Sequence, residues 1–154
     1  MANSTLTTPD PRPLRIALIG AGRHAQHHAR AILRCPGVQL VAVADPSDVA
    51  QAAMRDIVPG IGCFKTPEEL FASERLNVVH IITPPASHAP LARMALKAGC
   101  HIYVEKPFTE SVEDAQQILD EASAKGLRVG AGHQRLYEPP TRVLTQYLPS
   151  IGRV

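Results

Sequence analysis

Apolar residues in this chain fall in short runs, separated by longer stretches in which apolar and polar positions recur at helical spacing. Ile16, Ala17, Leu18 and Ile19 form the first run. It lacks the alternation of a half-exposed strand and predicts a parallel strand buried on both faces. Further strands are expected at 39–44, briefly around Cys63 and Phe64, and at 78–82, 101–104 and 127–129. Helices are expected between them, at 23–33, 47–57, from Thr66 onward, 87–98 and 111–125, with another at 141–148. Residues 151–154 read as the opening of one more strand.

The punctuation agrees with this division. Pro36-Gly37, Pro59-Gly60, Gly99 and Gly126 each stop a helix. Thr66 with Glu69, around Pro67, reads as a capping box, and Ser111 with Asp114 repeats the arrangement. Strands that alternate with helices at this spacing make right-handed βαβ units. The predicted fold class is therefore α/β, a doubly wound parallel sheet of the Rossmann type.

The turn after the first run carries chemistry. Gly20, Gly22 and Ala25 match G-x-G-x-x-G/A. Gly20 permits the turn, Gly22 lets backbone approach a pyrophosphate, and Ala25 lets helix pack on strand. The following helix then offers unpaired N–H groups to phosphate. Asp45 ends the second strand, 25 residues beyond Gly20. Two readings of it stand: a carboxylate that bonds a ribose 2′-hydroxyl, or an Asx turn before the helix that starts near Ser47. Gly20, Asp45, Thr83, Glu105, Lys106 and His133 all lie just beyond the carboxyl ends of predicted strands, which share one edge of such a sheet. Separate polar stretches thus converge on one crevice.

Composition narrows the field without naming a function. At 154 residues the chain is one domain by length, and a net charge of +2 is too small to suggest nucleic acid. Cys35, Cys63 and Cys100 show no C-x-x-C spacing, so reduced thiols and a cytoplasmic location are expected. No stretch approaches the roughly 18 apolar residues of a membrane span, and no membrane partner is expected. His24, His27 and His28 invite a metal reading, but H-E-x-x-H is missing and no third ligand stands nearby in sequence, so no metal is expected. His24 is expected near the phosphates, the other two as packing or surface residues.

With Gly20-Ala21-Gly22, then Thr83-Pro84-Pro85 and His88, then Gly99, His101 and Glu105-Lys106-Pro107, the sequence resembles the Gfo/Idh/MocA oxidoreductase family over about residues 14–139. The resemblance implies NAD or NADP bound in an N-terminal Rossmann domain, and hydride transfer to or from a carbinol of a sugar, cyclitol or related polyol. It implies Lys106 as the catalytic lysine beside the nicotinamide, and places both Lys106 and Glu105 among the cofactor-binding residues. Thr83, Pro84 and His88 match the loop and helix start beside the cofactor, and Gln134 the polar side chain near the nicotinamide ribose. Gly20, Ala21, Gly22, Arg23 and His24 complete the expected cofactor set. Arg135 is followed by Leu136 and Tyr137, so no role passes to a second arginine.

A carboxylate at Asp45 accepts from a 2′-hydroxyl and repels a 2′-phosphate, so NAD is expected over NADP. The bland reading of Lys106 is a solvated lysine paired with Glu105. By the resemblance, a second α/β domain supplies the substrate pocket and an aspartate–histidine pair, and its sequence would begin where this one stops. The expected organisation is an arm at 1–13, a dinucleotide-binding domain at 14–138, and a connecting helix with the start of an absent domain at 139–154. Alone, such a chain is expected to be inactive, and any homo-oligomer would need a surface other than that second domain. A stand-alone dinucleotide sensor or regulatory subunit is the alternative. A methyl-donor-binding Rossmann domain is a weaker one, against which Glu105-Lys106-Pro107 speaks.

Overall fold

A computed structural model describes residues 12–150 and 152. Six parallel strands, β1 (Leu14–Ile19), β2 (Val38–Ala44), β3 (Gly62–Phe64), β4 (Val78–Ile81), β5 (His101–Val104) and β6 (Val129–Ala131), form one sheet in the order β3-β2-β1-β4-β5-β6. Strand order reverses between β1 and β4, which opens a crevice at their carboxyl ends.

Alternation along β1 divides the core. Ile16 and Leu18 turn to the face covered by α1 (Arg23–Ile32) and α2 (Asp48–Ile57), packing with Ala25, Ala29, Ile32 and Met54. Ala17 and Ile19 turn to the face covered by α3 (Pro67–Ser73), α4 (His88–Lys97) and α5 (Val112–Ala124), with Leu70, Leu96 and Ile118. Ala17 and Leu18 are fully buried, as expected of a central parallel strand. β4 and β5 differ, because only alternate residues are fully buried. Val79, Ile81, Ile102 and Val104 enter the α4–α5 core, while His80, His101 and Tyr103 occupy the opposite, half-covered face.

The caps form with one change of partner. The Glu69 N–H donates to Thr66 Oγ1 (3.2 Å), but the Glu69 carboxylate accepts from the Lys65 N–H (2.9 Å), one residue before the expected reciprocal donor. At α5, the Asp114 N–H donates to Ser111 Oγ (3.0 Å), and that hydroxyl donates to Asp114 Oδ2 (3.1 Å).

Three boundaries move. The sixth strand is expected at 127–129 but spans Val129–Ala131, because the Leu127 N–H donates to Ala122 O (2.8 Å) and closes α5 before pairing with β5 begins. A 3-10 turn, Pro85–Ser87, precedes α4. The last helix, α6 (Pro139–Tyr147), starts two residues early, with proline in its first turn, where a missing N–H costs nothing. It buries none of its residues. Most of the expected arm, and all of the expected strand at 151–154 except Gly152, lie outside the described residues.

Candidate functional site

The glycine turn is held by its surroundings. Gly20 has φ +98°, and a Cβ there would lie 2.5 Å from Ile82 O, so only glycine fits. Ala21 is fully buried, and its N–H donates to Asp45 Oδ2 (2.7 Å). Asp45 Oδ1 accepts from the Ser47 N–H (2.8 Å), which forms the Asx turn, so this carboxylate fastens β1's exit to β2's exit. Gly22 is the N-cap of α1, no side chain caps the helix there, and no acidic residue stands in the first turn. A Cβ at Gly22 would meet nothing within 4 Å. The first-turn N–H groups of α1, at exposed Arg23 and His24, therefore face open space with the helix's partial positive charge behind them.

On the far side of the crevice, Thr83 and Pro84 leave β4. Ser87 Oγ lies 2.7 Å from both Thr83 Oγ1 and Pro84 O. His88, expected among residues that touch the cofactor, is buried, with Nδ1 2.8 Å from Pro107 O and Nε2 2.8 Å from Thr83 O. Its ring ties the Thr83 loop to the Lys106–Pro107 segment, whose peptide bond is cis, with each nitrogen against a backbone carbonyl.

Lys106 is exposed and takes part in no ion pair among the described residues, so the solvated Lys106–Glu105 pair does not form. It lines a cleft of about 360 Å³ together with Gly132, His133, Gln134, Arg135 and Leu136. Gln134 opens a 3-10 turn, Gln134–Tyr137, at the mouth of that cleft. The exits of β1, β2, β4, β5 and β6 therefore do share one rim.

Glu105 faces α1 instead. It is buried; Oε2 accepts from the Lys106 N–H (3.2 Å), and Oε1 lies 3.2 Å from His24 Nε2 and 3.1 Å from His28 Nε2. Burial opposes its charge, but the Lys106 N–H and the two imidazoles outweigh that and hold the carboxyl below its ordinary range. A Cβ on Gly132 would come within 2.8 Å of Oε1, so glycine leaves room for this arrangement. His28 Nδ1 is 3.1 Å from His80 Nδ1, and the His80 ring stacks on Tyr103 at 4.8 Å. Burial, with His28 beside it, lowers His80 to about 4. No third ligand stands near the α1 histidines in sequence, and the carboxylate that joins them in space, Glu105, comes from 77 residues beyond His28. No motif in the sequence marks His80. Its one signal is the period-2 alternation of His80, His101 and Tyr103 with apolar neighbours, which marks a sheet face without an apolar cover.

Similarity to known proteins matches this geometry. The model of an oxidoreductase family with an NAD-binding Rossmann fold, Gfo/Idh/MocA, matches residues 14–133. Inositol 2-dehydrogenase of Agrobacterium fabrum is 34% identical over 128 residues, which cover 81% of this chain and 38% of that protein. The crystal structure of GenD2 from gentamicin A biosynthesis in complex with NAD is 28% identical with a TM-score of 0.78, covering 83% of this chain and 36% of that one. Myo-inositol 2-dehydrogenase from Lactobacillus plantarum, at 21% identity and a TM-score of 0.83, shares the fold over 90% of this chain and 42% of that one. The chain spans less than half the length of each of these proteins. No helix among the described residues is long and apolar enough to cross a membrane. By its match over residues 14–133, this chain belongs to the Gfo/Idh/MocA oxidoreductase family and carries that family's NAD-binding Rossmann domain.

Proposed function

We propose that the chain binds NAD in preference to NADP along the carboxyl rim of its sheet, and that the whole protein moves a hydride to or from a carbinol of a sugar, cyclitol or related polyol. The observation that carries this reading is the uncapped amino end of α1 beside the Asp45 carboxylate. Those free N–H groups suit a pyrophosphate, and the open space at Gly22 admits it. A carboxylate has about four acceptor sites, and the N–H groups of Ala21 and Ser47 engage one on each oxygen. The remainder can accept from a ribose hydroxyl, while the negative charge disfavours a 2′-phosphate. Both readings of Asp45 are thereby compatible in one side chain.

The bound nicotinamide supplies the hydride acceptor or donor. Lys106, exposed in the cleft, holds the carbinol oxygen through its ammonium and stabilises the negative charge that grows there. Gln134 offers its amide to the ribose, and Thr83 and Pro84 form the opposite wall. His88 is a positioning residue, since it reaches the site only through the backbone it ties together. The inositol dehydrogenases among the similar proteins support a polyol substrate. Residues 14–138 then make up the nucleotide-binding unit, with α6 as a connector. Free thiols at Cys35, Cys63 and Cys100 support a cytoplasmic location.

Calorimetric titration of this chain with NAD, NADP and S-adenosylmethionine tests the reading, with Gly22→Val as the blocked variant. Expected are binding of NAD, weaker binding of NADP, none of the methyl donor, and loss of NAD binding in the variant. Tighter NADP binding overturns the cofactor choice, and methyl-donor binding overturns the class.

A further inference from the structure

His24 and His28 stand one helical turn apart on α1, at the i, i+4 spacing that puts two imidazoles on one helix face. Glu105 faces them from the end of β5. One ligand atom from each of the three residues lies within 4.8 Å of the others, and both Nε2 atoms face Glu105 Oε1. The two distances to Oε1, 3.2 and 3.1 Å, are close to the edge of about 3.3 Å that a tetrahedron requires at zinc–ligand bonds near 2.05 Å. Both imidazoles converge on one carboxylate oxygen, while the other oxygen is held by the Lys106 N–H.

We propose that His24, His28 and Glu105 form a binding site for one divalent transition-metal ion, zinc by the chemistry of the donor set. Two imidazoles and one carboxylate are the ligands of open zinc sites, in which water takes the fourth position. The outer contacts that such sites need are present. With Nε2 on the metal, His28 carries its proton on Nδ1 and donates it to Nδ1 of His80, 3.1 Å away. His80 is in turn held by its stack on Tyr103. Partners of this kind fix the tautomer and the ring orientation of a metal-bound histidine. Entry is open, because the His24 side chain is 52% exposed while those of His28 and Glu105 are 13% and 9%. Glycine at 132 keeps the space beside Oε1 clear. Nothing in this argument depends on dinucleotide binding.

Zinc alone, titrated against a chromophoric chelator, and cobalt, followed by its visible absorption, test the site in this chain. Expected are one equivalent of zinc and a four-coordinate cobalt spectrum without thiolate charge transfer. His24→Ala, at an exposed position, is expected to weaken zinc at least tenfold without lowering the metal-free melting temperature by more than a few degrees. Glu105→Gln is expected to act likewise on zinc. His27→Ala, on the same helix but outside the trio, is expected to leave the affinity unchanged. Unaltered zinc affinity in His24→Ala overturns the proposal, as do equal losses in His27→Ala, thiolate bands in the cobalt spectrum, or no zinc bound by the unsubstituted chain.

Discussion

The Ala21 N–H donates to Asp45 Oδ2 at 2.7 Å, which joins the glycine turn to the end of the neighbouring strand. One carboxylate therefore shapes the phosphate loop and carries the charge that a ribose would meet. Asp45→Ser is expected to weaken NAD about tenfold, in keeping with the roughly 1.5–3 kcal/mol of a charge-assisted hydrogen bond. NADP should be weakened less, so the ratio of the two affinities narrows. Calorimetry with both dinucleotides reads that ratio, and an unchanged value removes Asp45 as the selector.

Gly20 and Gly22 belong to the same motif but fail differently when replaced. Gly20→Ala drives a Cβ to 2.5 Å from Ile82 O at φ +98° and is expected to cost about 2 kcal/mol or more of stability. Gly22→Val meets no protein atom within 4 Å; it is expected to cost about 1 kcal/mol or less as a poorer N-cap, yet to abolish dinucleotide binding. Melting curves paired with titrations separate the two. If Gly22→Val kept NAD affinity, backbone approach at this turn would be refuted.

Acid should destabilise the protein before its carboxylates titrate. The unfolded chain takes up a proton at His80 near its ordinary 6.5, the folded chain only near 4. Between those values the unfolded state binds more protons, so stability rises with pH through that window and is fully present above it. The difference corresponds to on the order of 3 kcal/mol, and His28, lowered mainly by burial, adds in the same direction. Glu105 acts further down, because its lowered pKa contributes stability that is lost only as pH falls through the carboxylate range. Urea unfolding between pH 4 and 8 measures the slope. His80→Phe, which keeps a ring against Tyr103, should flatten it, and a slope as steep as the parent's would assign the effect elsewhere.

Ser111 caps α5 through the Asp114 N–H, and Asp114 also takes the guanidinium of Arg93 on α4 at 2.6 Å. Ser111→Ala is expected to cost about 1 kcal/mol, read as a fall of a few degrees in Tm. The Arg93–Asp114 pair is more than a third exposed on both sides, so Arg93→Ala should change stability by about 1 kcal/mol at most. A larger loss in Arg93→Ala than in Ser111→Ala would contradict this ordering.

Lys106→Met removes the ammonium from the cleft without disturbing an ion pair. For the proposed hydride transfer, kcat with a polyol substrate is expected to fall about 10²-fold or more, while NAD affinity in this chain stays within about threefold. Loss of both together would make Lys106 a binding residue for the dinucleotide.

Much of this molecule is readable from the chain alone because its elements are set by neighbours in sequence. The apolar run Ile16–Ile19, the cap residues Thr66 and Ser111, and the stops at Gly99 and Gly126 depend on contacts within a few positions, and the structure keeps all of them. β6 starts at Val129, two residues later than the apolar pattern predicts, because Leu127 completes the helix turn through Ala122 instead of joining the sheet. The parallel topology also determines in advance that residues following strands share a rim, which is why Gly20, Asp45, Thr83 and Lys106 could be grouped beforehand.

Direction, unlike position along the chain, was decided by packing. His88 turns inward to two backbone carbonyls, and Glu105 and Lys106, adjacent in sequence, point to opposite sides of their strand's exit, one to α1 and the other to the cleft. His24 and His28 on α1 meet His80 within β4 and Glu105 at the exit of β5 only because the chain folds those positions onto one side of the sheet. No periodicity spans the 77 residues between His28 and Glu105. Such encounters depend on how a twisted sheet stacks against a helix, a long-range arrangement that local patterns along the backbone do not encode.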